Sequence, residues 1–335
     1  MVHRLVLAAT LLTALTARGD EPAQPRPPPP DPDRGNFWRE LMTPHKDEVD
    51  LIVLKAKQAI SNADIALYSD YDPTGQERTR MYREVYGMLR YARKLAPDSV
   101  EVLRLLGQTA DETGKTREAI EAFQAAVDVA GIDKVGTEVN GRLGAIFLRL
   151  GKLDDALRHL RAAQTAIIPG QPITAHVLVH LSNALAMRGQ MTEAIDVLAN
   201  ALPPTIQYYT NELTLVSFAL AVQYDRDEEP GAAFEVLDKM QNVLAGQLAA
   251  MGQNVLAAVR FAPAEDRHYY YGLLWEAAGH YIEARAEWAL YAAAGKLPYR
   301  QRALDHIAAI DALRRAPASE LNRYQIRRIH HRVHP

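Results

Sequence analysis

One pattern returns five times and constrains this chain more than any other feature. The segments Leu105–Val127, Leu143–Ala163, Leu181–Pro203, Leu220–Met240 and Tyr271–Gly295 align without gaps over their shared positions. Leu106, Leu143, Leu181, Leu220 and Tyr271 fall in register, and a small residue follows each: Gly107, Gly144, Ser182, Ala221 and Gly272. Next come Ala110, Phe147, Leu185, Tyr224 and Trp275, then a turn position with Gly114, Gly151, Gly189, Glu228 and Gly279. An alanine follows in every copy (Ala119, Ala156, Ala194, Ala233, Ala284), and then a large apolar side chain: Phe123, Leu160, Leu198, Leu237 and Trp288. Apolar residues three, four and seven apart make one buried stripe per helix. Glycine at the turn adopts positive φ and ends the first helix. The small residue of the first helix faces the alanine of the second, so the two backbones approach closely. A unit of this kind cannot bury its apolar face alone and must stack on its neighbours.

These residues resemble the tetratricopeptide repeat, whose consensus runs W-x2-L-G-x2-Y, then A-x3-F, then P. The resemblance covers residues 78–295 and implies an all-α, TPR-like α-solenoid of antiparallel helix pairs wound into a right-handed superhelix. An incomplete copy precedes the five, with Val85, Leu89, Ala92 and Pro97 at second-helix spacing. Its first helix is expected at Lys46–Ser61, followed by an insertion, Asn62–Gln76. The segment Gln241–Pro263 is expected to lengthen a second helix and add a loop, and Leu297–Arg315 to form a final solvating helix. The resulting division is a signal peptide at 1–19, a proline-rich linker at 20–36, N-terminal helices at 37–97 and five repeats at 98–295. A capping helix at 296–316 and a basic tail at 317–335 complete it.

The N-terminal residues suggest export. After Arg4, Leu5–Ala17 is uncharged and mostly apolar. It is too short to span a bilayer, which takes roughly 20 residues, and it fits the apolar region of a secretory signal. Ala17-Arg18-Gly19 offers small residues for cleavage after Gly19; retention as an N-terminal anchor is the alternative. Removing Arg4 and Arg18 takes the net charge from −3 to −5. Between Pro22 and Pro32 the chain is too rich in proline for helix or sheet and reads as a polyproline spacer. The expected location is periplasmic or extracellular. With 48% hydrophobic residues the chain can build a sizeable core. Its near-balanced charge argues against a dedicated nucleic-acid partner, and the lack of cysteine excludes disulfides, thiolate metal sites and lipid-modified cysteine.

Motifs that carry chemistry are few. Thr113-Gly114-Lys115-Thr116 echoes the end of a phosphate-binding loop, but Thr109 stands where its first glycine is needed, and helix rather than strand precedes it. His176 and His180 in HVLVH share a helix face, yet Val177 replaces the glutamate of a metalloprotease and no third ligand is evident. Asp154-Asp155 and Glu228-Glu229 sit at helix starts, where carboxylates complement the helix dipole. The tail Arg323–His334 is rich in Arg and His and reads as a solvated terminus. No metal and no cofactor is expected.

In the resembled family, first helices line the concave face and supply ligand contacts. Carried onto this chain, that face comprises Glu101, Arg104, Gln108 and Asp111, then Glu138, Arg142 and Arg149, then His176, His180 and Asn183. It continues with Phe218, Val222 and Asp225, and ends with Tyr269, Tyr270 and Glu276. The lysine-bearing carboxylate clamp of chaperone-docking members is not reproduced. Tyr269 and Tyr270 would instead serve as aromatic anchors where exposed. The export signal, the repeat and the missing catalytic set together suggest a non-enzymatic scaffold or adaptor of the cell envelope that holds a peptide or protein segment. Two alternatives are an enzyme with a site around His268, Glu276 and His280, and a self-associating structural solenoid.

Overall fold

The computed structural model describes residues 44–66, 75–167, 172–295 and 297–315. The expected export signal, proline-rich spacer and basic tail lie outside these residues. Among the described residues the chain is all-α, with 14 helices and no strand. α1 (Lys46–Ala66) and α2 (Gln76–Leu95) pack as a first antiparallel pair. Four more pairs follow: α3 (Val100–Glu112) with α4 (Thr116–Ala130), α5 (Thr137–Arg149) with α6 (Leu153–Thr165), α7 (Pro172–Met187) with α8 (Met191–Ala199), and α9 (Asn211–Arg226) with α10 (Pro230–Val243). An additional helix, α11 (Leu248–Ala257), intervenes before the last pair, α12 (Asp266–Ala277) and α13 (Tyr281–Ala293), and α14 (Arg300–Arg315) packs on α13. The architecture is a TPR α-solenoid.

The repeated residues account for the pairing. All five signature alanines and all five large apolar residues four positions later are buried. The first-helix glycines leave no room for a side chain. A Cβ on Gly107 would stand 2.6 Å from the Phe123 ring, and one on Gly272 would stand 2.6 Å from Trp288. Where serine replaces glycine, Ser182 Oγ donates to Ala194 O (2.8 Å), so the hydroxyl is satisfied at the same close approach.

Each turn closes with the same bond. The N–H groups of Lys115, Lys152, Gln190, Glu229 and His280 donate to the carbonyls of Ala110, Phe147, Leu185, Tyr224 and Trp275, at 2.8–2.9 Å. This is the long-range bond of a Schellman cap, and it requires a left-handed residue just before the donor. Gly114, Gly151, Gly189 and Gly279 meet that requirement, with φ between 70° and 83°; Glu228 meets it at φ 60° without being glycine. A left-handed L-residue costs about 1–2 kcal/mol, partly offset by the greater chain entropy that glycine loses on folding. Glu228→Gly is therefore expected to raise stability by up to about 1 kcal/mol, measured as a shift in urea midpoint at unchanged slope.

Three elements depart from expectation. α1 continues through Asn62–Ala66 because that stretch holds no glycine or proline and buries Ala63. Gln241–Pro263 does not simply lengthen a helix. α10 stops at Val243, Ala245 and Gly246 take positive φ, and α11 forms as a separate helix packed between α9 and α12. α14 does more than solvate an end, since Arg302 and His306 on it are buried. Most buried apolar residues form two cores, one running from α1 into α8 and the other from α7 to α14, and Val49, Ala92 and Val102 form a small third cluster. Ala262, far along the chain, belongs to the first of these.

Candidate functional site

The predicted concave-face residues divide into two environments. On α3 and α5, Glu101, Arg104, Glu138, Arg142 and Arg149 form a half-buried charged surface, with Gln108 and Asp111 buried beneath it. Glu101 receives Arg104 Nε (2.8 Å) and Lys57 Nζ (2.7 Å). The hydrogen bonds from Arg104 and then Lys57 outweigh burial and lower the Glu101 carboxyl to about 2. Arg104 also pairs with Glu138, and Glu138 with Arg142 (3.4 Å). Between α1, α3 and α5 lies a cleft of about 430 Å³ with Lys57, Asp64, Arg104 and Glu138 on its walls. Ile60 and Leu105 give it an apolar base, where the buried Gln108 also lies. Asp111 is held by Arg149 (2.5 Å), and the neighbouring Glu112 by Arg78 (2.8 Å) and Arg142 (3.6 Å). His176 lines a second cleft of about 280 Å³ with Glu212 and Asn254.

The residues further along are interior, which corrects the expectation of a continuous open groove. His180, Asn183, Phe218, Val222, Asp225, Tyr269, Tyr270 and Glu276 are all buried. Tyr269 and Tyr270 therefore offer no anchor to a partner. The reason is the additional packing: α11 covers α9 and α12, and α14 brings cations in from the other side. Asn183 Oδ1 accepts from Gln223 Nε2 (2.8 Å), Arg226 Nη1 (3.3 Å) and Tyr270 OH (3.3 Å).

Asp225 is the centre of this interior. It accepts from Tyr269 OH (2.6 Å), Arg302 Nη2 (2.6 Å) and His306 Nε2 (3.0 Å). His306 Nδ1 donates to Glu276 (2.8 Å), and Trp288 Nε1 donates to the same carboxylate (2.9 Å) while its ring stacks on the imidazole at 4.3 Å. Arg226 pairs with Asp266 (3.0 Å) beneath the rings of Tyr269 and Tyr299. Burial alone would deprotonate His306, but Glu276 and Asp225 overcome it and raise the imidazole to about 10. Burial also opposes ionisation of Asp225, yet His306 and Arg302 hold its carboxyl well below the usual range. Three carboxylates thus face three cations, and the arrangement fixes helices to one another.

The three residues considered for a hidden active site are not brought together. Glu276 belongs to the network just described, His268 pairs with Glu287 (2.6 Å), and His280 packs edge-on against Trp275. Thr113-Gly114-Lys115-Thr116 is the turn between α3 and α4. Among the described residues no three of His, Asp and Glu gather as a metal site. Sequence reasoning missed Arg260, Arg302 and His306. Arg302 and His306 share a face of α14 with the buried Ala309 and Leu313, and charge inside an apolar stripe was the signal that marked them.

The buried histidines set a pH dependence. His159 Nδ1–H donates to Asn140 Oδ1 (2.9 Å), and Nε2 faces Arg158. Burial first, then the Arg158 charge, lowers it to about 4; burial, His176 and Arg149 lower His180 to about 3. An unfolded histidine titrates near 6.5. As pH falls below that value the unfolded chain takes up protons the folded chain refuses, so stability declines toward pH 4. For His306 the sign is opposite: its contribution is full below about pH 6.5 and is lost as pH rises toward 10. The thermal midpoint is expected to peak near pH 6.5. His159→Gln should flatten the acid limb and His306→Gln the alkaline limb. Melts across pH 4–10 that leave either limb unchanged would contradict the assignment.

A tetratricopeptide repeat family model matches residues 87–135, 104–172 and 142–208. No curated protein sequence matches the chain. Among solved structures, the type IV pilus biogenesis factor PilW is 16% identical over 74% of this chain and 98% of its own, with a TM-score of 0.44. Pseudomonas aeruginosa pilF is 14% identical over 70% and 99%, at 0.43. YrrB, described as a TPR protein with an unusual peptide-binding site, is 12% identical over 64% and 95%, at 0.39. At these scores none of the likenesses bears on what this chain binds. The family match lies on three consecutive repeats, and the same alanines, close helix approaches and turn bonds continue beyond it to α13. The chain carries tetratricopeptide repeats.

Proposed function

We propose that this protein is a non-enzymatic adaptor of the cell envelope that holds a peptide or protein segment on the N-terminal part of its concave face. The cleft between α1, α3 and α5 carries this reading. It combines an apolar base, charged walls whose ion pairs leave no strong net charge, and the Gln108 side chain set into that base. A carboxamide there offers both a donor and an acceptor, which suits a peptide backbone. Glu101, Arg104, Gln108, Glu138 and Arg142 are the residues assigned to the partner. Export rests on the Leu5–Ala17 segment, and no helix among the described residues is long and apolar enough to cross a membrane. A mature N-terminus at Asp20 is the expected product.

The test is site-specific photocrosslinking in the native envelope. A crosslinker at Ile65, on the rim of the cleft and 65% exposed, should capture a discrete partner. The same group at Ile282, 75% exposed on α13, should not. Identical capture from both positions, or none from Ile65, would sink the assignment of the cleft.

A further inference from the structure

Between α11 and α12, residues 258–263 form an irregular strap that reaches back to the second repeat. Arg260 Nη1 donates to Asp111 Oδ2 (2.9 Å) and to the Asp111 carbonyl (3.3 Å), and Nη2 donates to Glu112 (2.5 Å). These acids lie about 150 residues away in sequence, at the C-terminus of α3, where the helix dipole also favours a cation. Val259, Phe261 and Ala262 flank the contact and are buried, with the Phe261 ring 5.0 Å from Tyr270. The strap therefore sits on the repeats as a ligand would, one arginine between apolar side chains.

Its ionic end is asymmetric. The side chains of Asp111 and Glu112 are only 6% and 8% exposed, whereas Arg260 keeps 38%. If Arg260 left, Asp111 would retain Arg149 and Glu112 would retain Arg78 and Arg142, so neither acid would be stranded. Arg149 would gain, because burial foremost, and Arg260 in addition, weaken its hold on a proton. Nearby, His180 has a buried Nδ1 with no hydrogen-bond partner, close enough to Arg149 to feel its charge. That is a polar group an incoming chain could satisfy.

We propose that the strap is a resident occupant of the concave face, displaced by a partner segment of the same order as Val259-Arg260-Phe261-Ala262: apolar, arginine, aromatic, small. The incoming arginine takes Asp111 and Glu112. This rests on the reading of the concave face as the binding surface, and it adds both the partner's chemistry and an intramolecular competitor.

The probe is a fluorescein-labelled synthetic peptide of residues 257–264, titrated by anisotropy against the full chain. Arg260→Ala is expected to bind it at least tenfold more tightly than the unaltered protein. Adding Asp111→Asn and Glu112→Gln, or replacing the peptide's arginine by alanine, is expected to abolish the gain. Equal binding to both proteins, or binding indifferent to that arginine, overturns the proposal. Should Arg260→Ala fail to melt cooperatively, hydrogen exchange on the unaltered chain decides. Strap amides must exchange at least tenfold faster than those of α9, and equal protection overturns the idea. Failure here with capture retained from Ile65 removes the strap mechanism alone; failure of both removes the concave-face reading.

Discussion

Asp225→Ala is expected to destabilise the protein by about 4 kcal/mol, the scale for removing one partner of a buried ion pair. Three donors converge on this carboxylate: Tyr269 OH, Arg302 and His306. Alanine would remove the carboxylate shared by a buried guanidinium and a buried imidazolium. The isosteric Asp225→Asn should not rescue the loss, because its NH₂ presents donors to groups that themselves donate. In a repeat protein each unit is held chiefly by its neighbours, so damage at one interface is felt first by the elements beyond it. The C-terminal helices α12–α14 should become protease-sensitive at urea concentrations where α3–α6 remain folded. Glu77→Ala, which breaks the exposed pair with Arg80, serves as a control and should leave the transition unchanged. A urea midpoint for Asp225→Ala within error of the unaltered protein would show that the network does not hold the C-terminal helices.

The contrast between the two ends of the chain explains what was legible in the sequence. The repeat is a local code: small residue, turn, alanine and large apolar residue recur at fixed separations within one helix pair. Hence the pairs α3–α4 through α12–α13 were all readable from residues such as Gly144, Gly151, Ala156 and Leu160. The course of the concave face was not readable, because it depends on what the inserted segment does. Nothing local in Gln241–Pro263 says that Ala262 will join the N-terminal core or that Arg260 will reach Asp111. Family-based mapping placed Tyr269, Tyr270 and Asp225 on the inner side of α12 and α9, but α11 and α14 then covered that side. Charged residues were harder still, since Arg302 buried beside Asp225 and Arg80 on the surface look alike until their partners are known. The excess polarity of an otherwise apolar helix face is the one clue the sequence held.

The close approach of paired helices makes a prediction in which the same residue type gives opposite outcomes at two sites. At Gly144 an added Cβ would stand 2.6 Å from Leu160 Cγ and 3.2 Å from the carbonyl oxygen of Ala156. A leucine can rotate, but the backbone carbonyl cannot without moving α6. Gly144→Val should therefore cost about 3 kcal/mol, the upper part of the usual overpacking range. Gly144→Ala combined with Leu160→Ala should lose less than the sum of the two single changes, because removing the leucine relieves the nearer clash. The residual cost then reports the carbonyl. At Gly87, exposed in α2, an added Cβ meets nothing within 4 Å. There Gly87→Ala should stabilise by roughly 0.5–1 kcal/mol, since alanine loses less backbone freedom in a helix. Both are read as urea midpoints at constant slope. A cost below about 0.5 kcal/mol for Gly144→Val would mean that the helices do not touch where the repeat signature requires, because a packed interface cannot absorb an added isopropyl group so cheaply.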